Sequence, residues 1–187
     1  MAVFSLRRSR VKRRWPSAAF VLAVVAAALV AWRVATTRIV SLLPPAGQQV
    51  AVVRVVDGDT LLLEDGHRVR LLGVNTPETK HPDREAEPLG PEAYAFTQSL
   101  INKGSVILEY DRERLDNYRR VLAYVYLPDG RMLNRELIQQ GMSPAIVTFP
   151  IRSDRRRMFL EAEREAQRLG VGIWSLPEWK ARQSTPR

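Results

Sequence analysis

The sequence predicts an α+β fold: a five-stranded barrel with three helices, preceded by a single transmembrane helix. Three observations lead there. Five short apolar runs lie between residues 50 and 127, separated by turn residues such as Asp57-Gly58, Asp65-Gly66 and Pro128-Asp129-Gly130. One helical pattern interrupts these runs and two follow them, so strands and helices are segregated rather than alternating as in a parallel α/β sheet. An uncharged run, residues 15–32, stands ahead of the whole and is flanked by cations.

The uncharged run is expected to be the membrane segment. Its 18 residues would span about 27 Å as a helix, close to the ~30 Å of a hydrocarbon core. Trp15 and Trp32 bracket it, where interfacial aromatics sit. Arg7, Arg8, Arg10, Lys12, Arg13 and Arg14 precede it, and Arg33 and Arg38 follow it. Six cations against two place the N-terminus in the cytoplasm and the body outside. A cleaved signal peptide ending near Ala26 and Ala28 has the same parts and exports the body equally. A buried soluble helix fits poorly, because the run is apolar on every face. The expected organisation is a basic segment 1–14, a signal-anchor 15–32, a linker 33–48, a body 49–176 and a tail 177–187. The expected location is the cell membrane, single-pass with the body outside, or secretion if the segment is removed.

Charge follows the same division. The chain carries 29 Lys and Arg against 20 Asp and Glu, net +9. Residues 1–43 hold eight of the cations and no acid, which leaves the body near neutrality. The bulk charge therefore says little about what the body binds. The absence of cysteine excludes a disulfide framework, a thiolate metal site and a cysteine nucleophile.

Within the body, residues 50–56 read as a Val-rich strand, 60–64 as a second and 68–74 as a third. A polar loop from 75 to 90 contains Pro77, Pro82 and Pro88, and a loop that long in a compact domain is usually functional. Pro91 suits a first helical position, with Ala93, Phe96, Leu100 and Ile101 as the apolar stripe of its helix. Residues 105–111 and 120–127 read as the fourth and fifth strands, and 134–140 as a short helix. Residues 142–152 look irregular. A helix from 153 to 169 should turn Phe159, Ala162, Ala166 and Leu169 inward, and Trp174 should dock behind it. Five strands with a helix between the third and fourth suggest an OB-type barrel.

The charged side chains cluster at the loops. Asp57 and Asp59 sit at a strand turn, Arg70 on a strand, Asn75, Thr76 and Glu78 at the start of the long loop, and Arg114, Asp116, Arg119 and Arg120 around the second loop. Asp-Gly alone is usually only a turn, and one strand arginine is usually a surface charge. Together they form a kit for phosphodiester hydrolysis. A hard cation takes oxygen ligands, which Asp59, Asn75 and the Thr76 carbonyl supply. Arginine forks match phosphoryl oxygens and stay charged. A carboxylate such as Glu78 orients or deprotonates the attacking water. His67 and His81 lack metal-ligand spacing. Arg152, Arg155, Arg156 and Arg157 read equally as a phosphate-backbone patch or as a solvated helix start, and like charges there oppose the helix dipole, so some partner for them is expected.

Three ordered blocks, Asp57-Gly58-Asp59-Thr60, the run from Arg70-Leu71-Leu72-Gly73-Val74-Asn75-Thr76-Pro77-Glu78 to Pro82, and Gly90-Pro91-Glu92-Ala93, resemble the staphylococcal nuclease (thermonuclease) family. The resemblance continues from Asp116-Asn117-Tyr118-Arg119-Arg120 to Tyr126, through Asn134, Leu137 and Gln140-Gly141, to Ile173-Trp174-Ser175, and covers roughly residues 50–176. It implies an OB-barrel with three helices and calcium-dependent hydrolysis of DNA and RNA leaving 3′-phosphates. By motif position it implies Arg70, Glu78 and Arg120 as the catalytic trio, Asp59, Asn75 and Thr76 at the calcium, and Tyr118 on a substrate phosphate. A monomer is expected. Four positions depart from the best-known member: Asn75 stands for an aspartate ligand, Arg119 for a glycine, and Val147 and Phe149 for nucleotide-facing tyrosines. The alternative class is a catalytically weak or inactive nucleic-acid-binding OB module at the cell surface. The presence of Arg70, Glu78, Arg120 and Asp59 together argues against it.

Overall fold

The computed structural model describes residues 18–41, 43–79, 86–101 and 104–179. The expected basic segment 1–14, the first three residues of the uncharged run, His81 and the end of the tail, 180–187, lie outside them. The chain divides into two units at residue 42.

The first unit contains helix α1, Ala18–Ser41. Phe20, Val21, Leu22, Val24, Val25, Leu29, Val30 and Trp32 are all exposed on it. Among the described residues no helix is long and apolar enough to cross a membrane. The transmembrane helix expected from the sequence thus lacks support here.

The second unit is a closed barrel in the order β1-β2-β3-β5-β4. The strands are β1 Gln49–Asp57, β2 Thr60–Leu63, β3 Arg68–Leu71, β4 Ser105–Glu109 and β5 Val121–Tyr126. All pairings are antiparallel except β3 with β5. One long first strand closes the barrel by pairing with β4 at its start and with β2 further on. Register irregularities between Val52 and Arg54 and between Val55 and Asp57 mark where it bends. Inside lie Leu61, Leu63, Val69, Leu71, Val106, Leu108 and Val121, all essentially inaccessible.

Three α-helices cover the barrel among the described residues: α2 Gly90–Ile101, α3 Leu133–Gln139 and α4 Ser153–Leu169. Buried Asn134 ties α3 to the barrel: its Oδ1 accepts the Val125 N–H at 2.8 Å and its Nδ2 donates to the Leu72 carbonyl at 2.8 Å. Phe159 of α4 meets Tyr124 edge-on. Trp174 docks as expected, in a small cluster with Ala166, Ile173, Leu89 and Trp179.

Three local expectations change. Leu169 is exposed, because the helix has already reached its left-handed cap at Gly170. On α2 the fully buried positions are Ala93, Thr97 and Ile101, with Phe96 and Leu100 only partly covered; Thr97 is buried because its Oγ1 donates to the Gly58 carbonyl at 2.6 Å. The third strand stops at Leu71 rather than reaching residue 74. Its backbone carbonyls turn onto a side chain instead, and that side chain belongs to the candidate site.

Candidate active site

The β1–β2 turn sets the floor. A Cβ on Gly58 would stand 2.7 Å from the Thr76 hydroxyl oxygen. Only glycine lets the turn and the long loop approach this closely. Beyond it, Asp59 is buried. Its Oδ1 accepts the Thr60 hydroxyl at 3.0 Å, and its Oδ2 accepts the Thr76 N–H at 2.9 Å. Its Oδ2 also lies 3.0 Å from Arg70 Nη1. Burial pushes the Asp59 carboxyl above the usual carboxylate range, and the Arg70 charge opposes that shift.

Arg70 sits opposite Thr60 across the β2–β3 ladder. Its Nη1 donates to the Val74 carbonyl at 2.8 Å and to the Leu71 carbonyl at 3.2 Å, and its Nη2 donates to Asn75 Oδ1 at 2.8 Å. The chain after β3 therefore curls around the guanidinium. This ends the strand early and locates Asn75. The Asn75 N–H in turn donates to the buried Ser143 Oγ at 2.7 Å.

Arg120 reaches the same cleft from the other loop. Asp116 organises that loop: its Oδ1 accepts the N–H groups of Tyr118 and Arg120 at 2.9 and 2.8 Å, and its Oδ2 takes Arg120 Nε at 2.6 Å. Although burial opposes it, the Arg120 N–H and guanidinium hold the Asp116 carboxyl below its usual range. Arg119 has φ 62°, the left-handed region glycine favours. The arginine in place of glycine thus keeps a glycine-like turn. Tyr118 is almost fully exposed, with the Arg120 guanidinium 5.4 Å from its ring centroid.

Arg70, Arg120, Asp116, Leu122, Ile146 and Phe149 line one cleft of about 280 Å³. Phe149 therefore places an aromatic face on it, whereas Val147 packs against the core. Glu78 does not line this cleft. It borders a separate groove of about 560 Å³ with Asp57, Thr79, Arg54, Pro91 and Tyr94. Asp57 Oδ1 accepts the Thr79 hydroxyl at 2.9 Å. A hydrogen bond to Asp57, then burial, push the Glu78 carboxyl up to about 7. The Glu78 backbone is pinned on both sides. Its N–H donates to Glu87 Oε2 at 3.2 Å, its carbonyl accepts the Glu87 N–H at 3.0 Å, and a Cβ on Gly90 would come within 2.4 Å of that carbonyl oxygen.

The residues expected to hold a metal are linked to one another. Asp59 and Asn75 share Arg70, Thr76 is hydrogen-bonded to Asp59, and the buried Thr76 hydroxyl has no hydrogen-bond partner. Among the described residues no group of three or more Asp, Glu or His side chains gathers for a metal. The donor set suits a hard, oxygen-loving cation, held with one carboxylate.

Other expectations resolve differently. Three of the arginines opening α4 have partners within the protein, although of these only Arg155 is largely covered. Arg152 pairs with Glu109, and Arg155 lies 3.0 Å from Glu109 Oε2 and donates to the Tyr126 hydroxyl at 2.8 Å. Arg156 donates to the Val147 carbonyl at 3.2 Å. His67 Nδ1 stands 3.0 Å from Asp65 in a turn, away from the cleft. The sequence reading gave no role to Asp57, Ser143 or Glu87. Only Asp57, beside Asp59 in one turn, carried a local signal.

The chain is similar in sequence to known proteins. Residues 68–176 match the family described as staphylococcal nuclease homologue. A thermonuclease of Staphylococcus intermedius is 43% identical over 132 residues, covering 68% of this chain and 77% of that protein. A thermonuclease of Staphylococcus hyicus is 39% identical over 131 residues, covering 68% and 76%. The endonuclease YncB of Bacillus subtilis is 35% identical over 130 residues, covering 67% and 61%. With more than half its length matched and both arginines in one cleft, the chain belongs to the staphylococcal nuclease family.

Proposed function

We propose that the body hydrolyses phosphodiester bonds of DNA or RNA with calcium and leaves 3′-phosphate ends. Family membership makes the chain a nuclease, a phosphodiesterase hydrolase. The observation that carries the finer reading is the pair Arg70 and Arg120 on the walls of one cleft. Two fixed guanidinium forks stabilise the charge that gathers on phosphoryl oxygens during displacement. Tyr118, exposed beside Arg120, contacts a neighbouring substrate phosphate. Glu78, near neutrality in its proton affinity, accepts a proton from the attacking water. Asp59, Asn75 and the Thr76 carbonyl hold the calcium ion. A bound divalent ion supplies Lewis-acid stabilisation of the phosphoryl oxygens.

The body is placed outside the cytoplasm, held by residues 15–32 as a signal-anchor or released as a secreted monomer by cleavage. The support is the uncharged run, its cationic flanks and the exposed apolar side chains of α1. The test of activity is incubation of the chain with single-stranded DNA and RNA, with calcium and with chelator, followed by end analysis. Calcium-dependent products ending in 3′-phosphate are expected; no cleavage with any divalent ion overturns the reading. Protease added outside intact cells should digest the body, and protection of it would refute the topology.

A further inference from the structure

The groove beside Glu78 is separate from the arginine cleft, and the reading above gives it no task. It is the larger of the two, at about 560 Å³. Glu78 and Asp57 form one wall. Arg54 and Tyr94, from β1 and α2, form the other, with Pro91 beside them. Arg54 is exposed and makes no ion pair among the described residues, although four carboxylates stand within the surrounding loops. Tyr94 is partly buried against the core, which fixes its ring while leaving one side on the groove. An unpaired guanidinium next to a fixed aromatic face is the pairing that single-stranded nucleic acid uses: cation to phosphate, ring to base.

Position supplies the second argument. A polymer held at a scissile phosphate must leave the site in two directions. One exit is the cleft of Arg120 and Phe149. Glu78, the base of the proposed reaction, lines this groove, so a strand whose scissile phosphate lies beside Glu78 passes into it next. We propose that the groove of Arg54 and Tyr94 is a second nucleotide subsite, which takes the nucleotide flanking the scissile phosphate on the Glu78 side. Tyr94 stacks its base and Arg54 pairs with its outer phosphate. This rests on the nuclease reading, and it makes the enzyme favour polymers over single nucleotides.

The experiment measures binding of a fluorescent twelve-nucleotide single strand to the full chain in chelator, alongside cleavage by the wild type in calcium. Cleavage tests the nuclease reading; binding by the variants tests the subsite. Tyr94→Leu keeps apolar volume but removes the stacking face, and should weaken binding by at least about 5-fold. Arg54→Gln lies at an exposed strand position, so the fold is not at stake. It should lower the slope of log affinity against log salt by about 0.7, one phosphate contact on a single strand. A wild-type salt slope in Arg54→Gln, together with wild-type affinity in a Tyr94→Leu protein of unchanged melting temperature, overturns the subsite.

Discussion

Arg70 and Arg120 face one cleft, but the molecule holds them in opposite ways. Arg70 belongs to the barrel. Two backbone carbonyls, a buried aspartate and Asn75 all accept from it or pair with it. Arg120 belongs to a loop, and one aspartate supports it. The first arginine is therefore part of what shapes the site, whereas the second is presented to a site already shaped. A guanidinium with five donors can do both kinds of work because it never loses its charge.

The largest effects come from removing each in turn. Arg70→Ala and Arg120→Ala should both lower turnover by at least ~10²-fold, the scale for losing one donor to the transition state. Their stabilities should part. Arg70→Ala leaves Asp59 buried without its partner and should cost about 3 kcal/mol, while Arg120→Ala frees a more accessible pair and should cost no more than about 1 kcal/mol. Turnover and thermal melting of the two variants decide it. Equal destabilisation would erase the distinction between them.

The metal side sharpens the contrast, because two of the expected calcium ligands, Asp59 and Asn75, already give an oxygen each to Arg70. Calcium affinity follows ligand charge and rigidity. Asn75→Asp adds a second negative charge and should lower the calcium needed for half-maximal cleavage several-fold. Asp59→Ala removes the only carboxylate among the three and should abolish or sharply weaken the response. A calcium titration at fixed salt checks both. If neither substitution moves the curve, these residues do not hold the ion, and Arg70 has no metal to share with.

The contrast also marks what could be read in advance. The five strands, the three helices and the docking of Trp174 followed from local patterns: Val-rich runs, turn dipeptides and a 3.6-residue period; the strand order with its parallel β3–β5 pair did not. Arg70 and Arg120, which line the cleft, were named through the family resemblance. Their supports could not be. Arg70 ends β3 through carbonyls whose direction depends on the turn that follows. Ser143 reaches Asn75 across 68 positions of chain. Some partner was expected for the arginines opening α4, but the one that Arg152 and Arg155 share, Glu109, could not be named because it lies on a strand far off in sequence. Asp116 was visible in the loop, but its role depends on a turn that its own side chain folds.

Glu78, like Arg120, is carried by a loop, and it offers a pH test. Its folded value is raised from 4.5 to about 7, chiefly by the hydrogen bond to Asp57. Between these values the folded protein keeps a proton that the unfolded chain has released. The stability contributed is complete below 4.5 and is lost as pH rises through 7. In chelator, the wild type should therefore lose melting temperature across that window relative to Glu78→Gln. Parallel curves for the two proteins would show that Glu78 and Asp57 do not share a proton.

The smallest effect concerns how Arg120 is presented. Arg119 occupies the left-handed region at φ 62°, where a side chain costs about 1–2 kcal/mol and glycine almost none. Glycine returns part of that gain, because it loses more freedom on folding, about 0.5–1 kcal/mol. Arg119→Gly should therefore stabilise the protein by about 0.5–1 kcal/mol, a rise of a few degrees in melting temperature. Its effect on turnover discriminates between two origins for the turn. Asp116 already fixes the turn through the N–H groups of Tyr118 and Arg120 and through Nε. If those bonds set the position of Arg120, Arg119→Gly changes stability and leaves turnover within about twofold. If turnover drops while stability rises, the strained arginine itself keeps Arg120 aimed into the cleft, and the second loop is less dependent on Asp116 than its hydrogen bonds imply. Asp116→Asn then gives the matching measurement: it keeps an acceptor for the backbone but loses the charge facing Nε, and should cost more turnover than Arg119→Gly if Asp116 is the support.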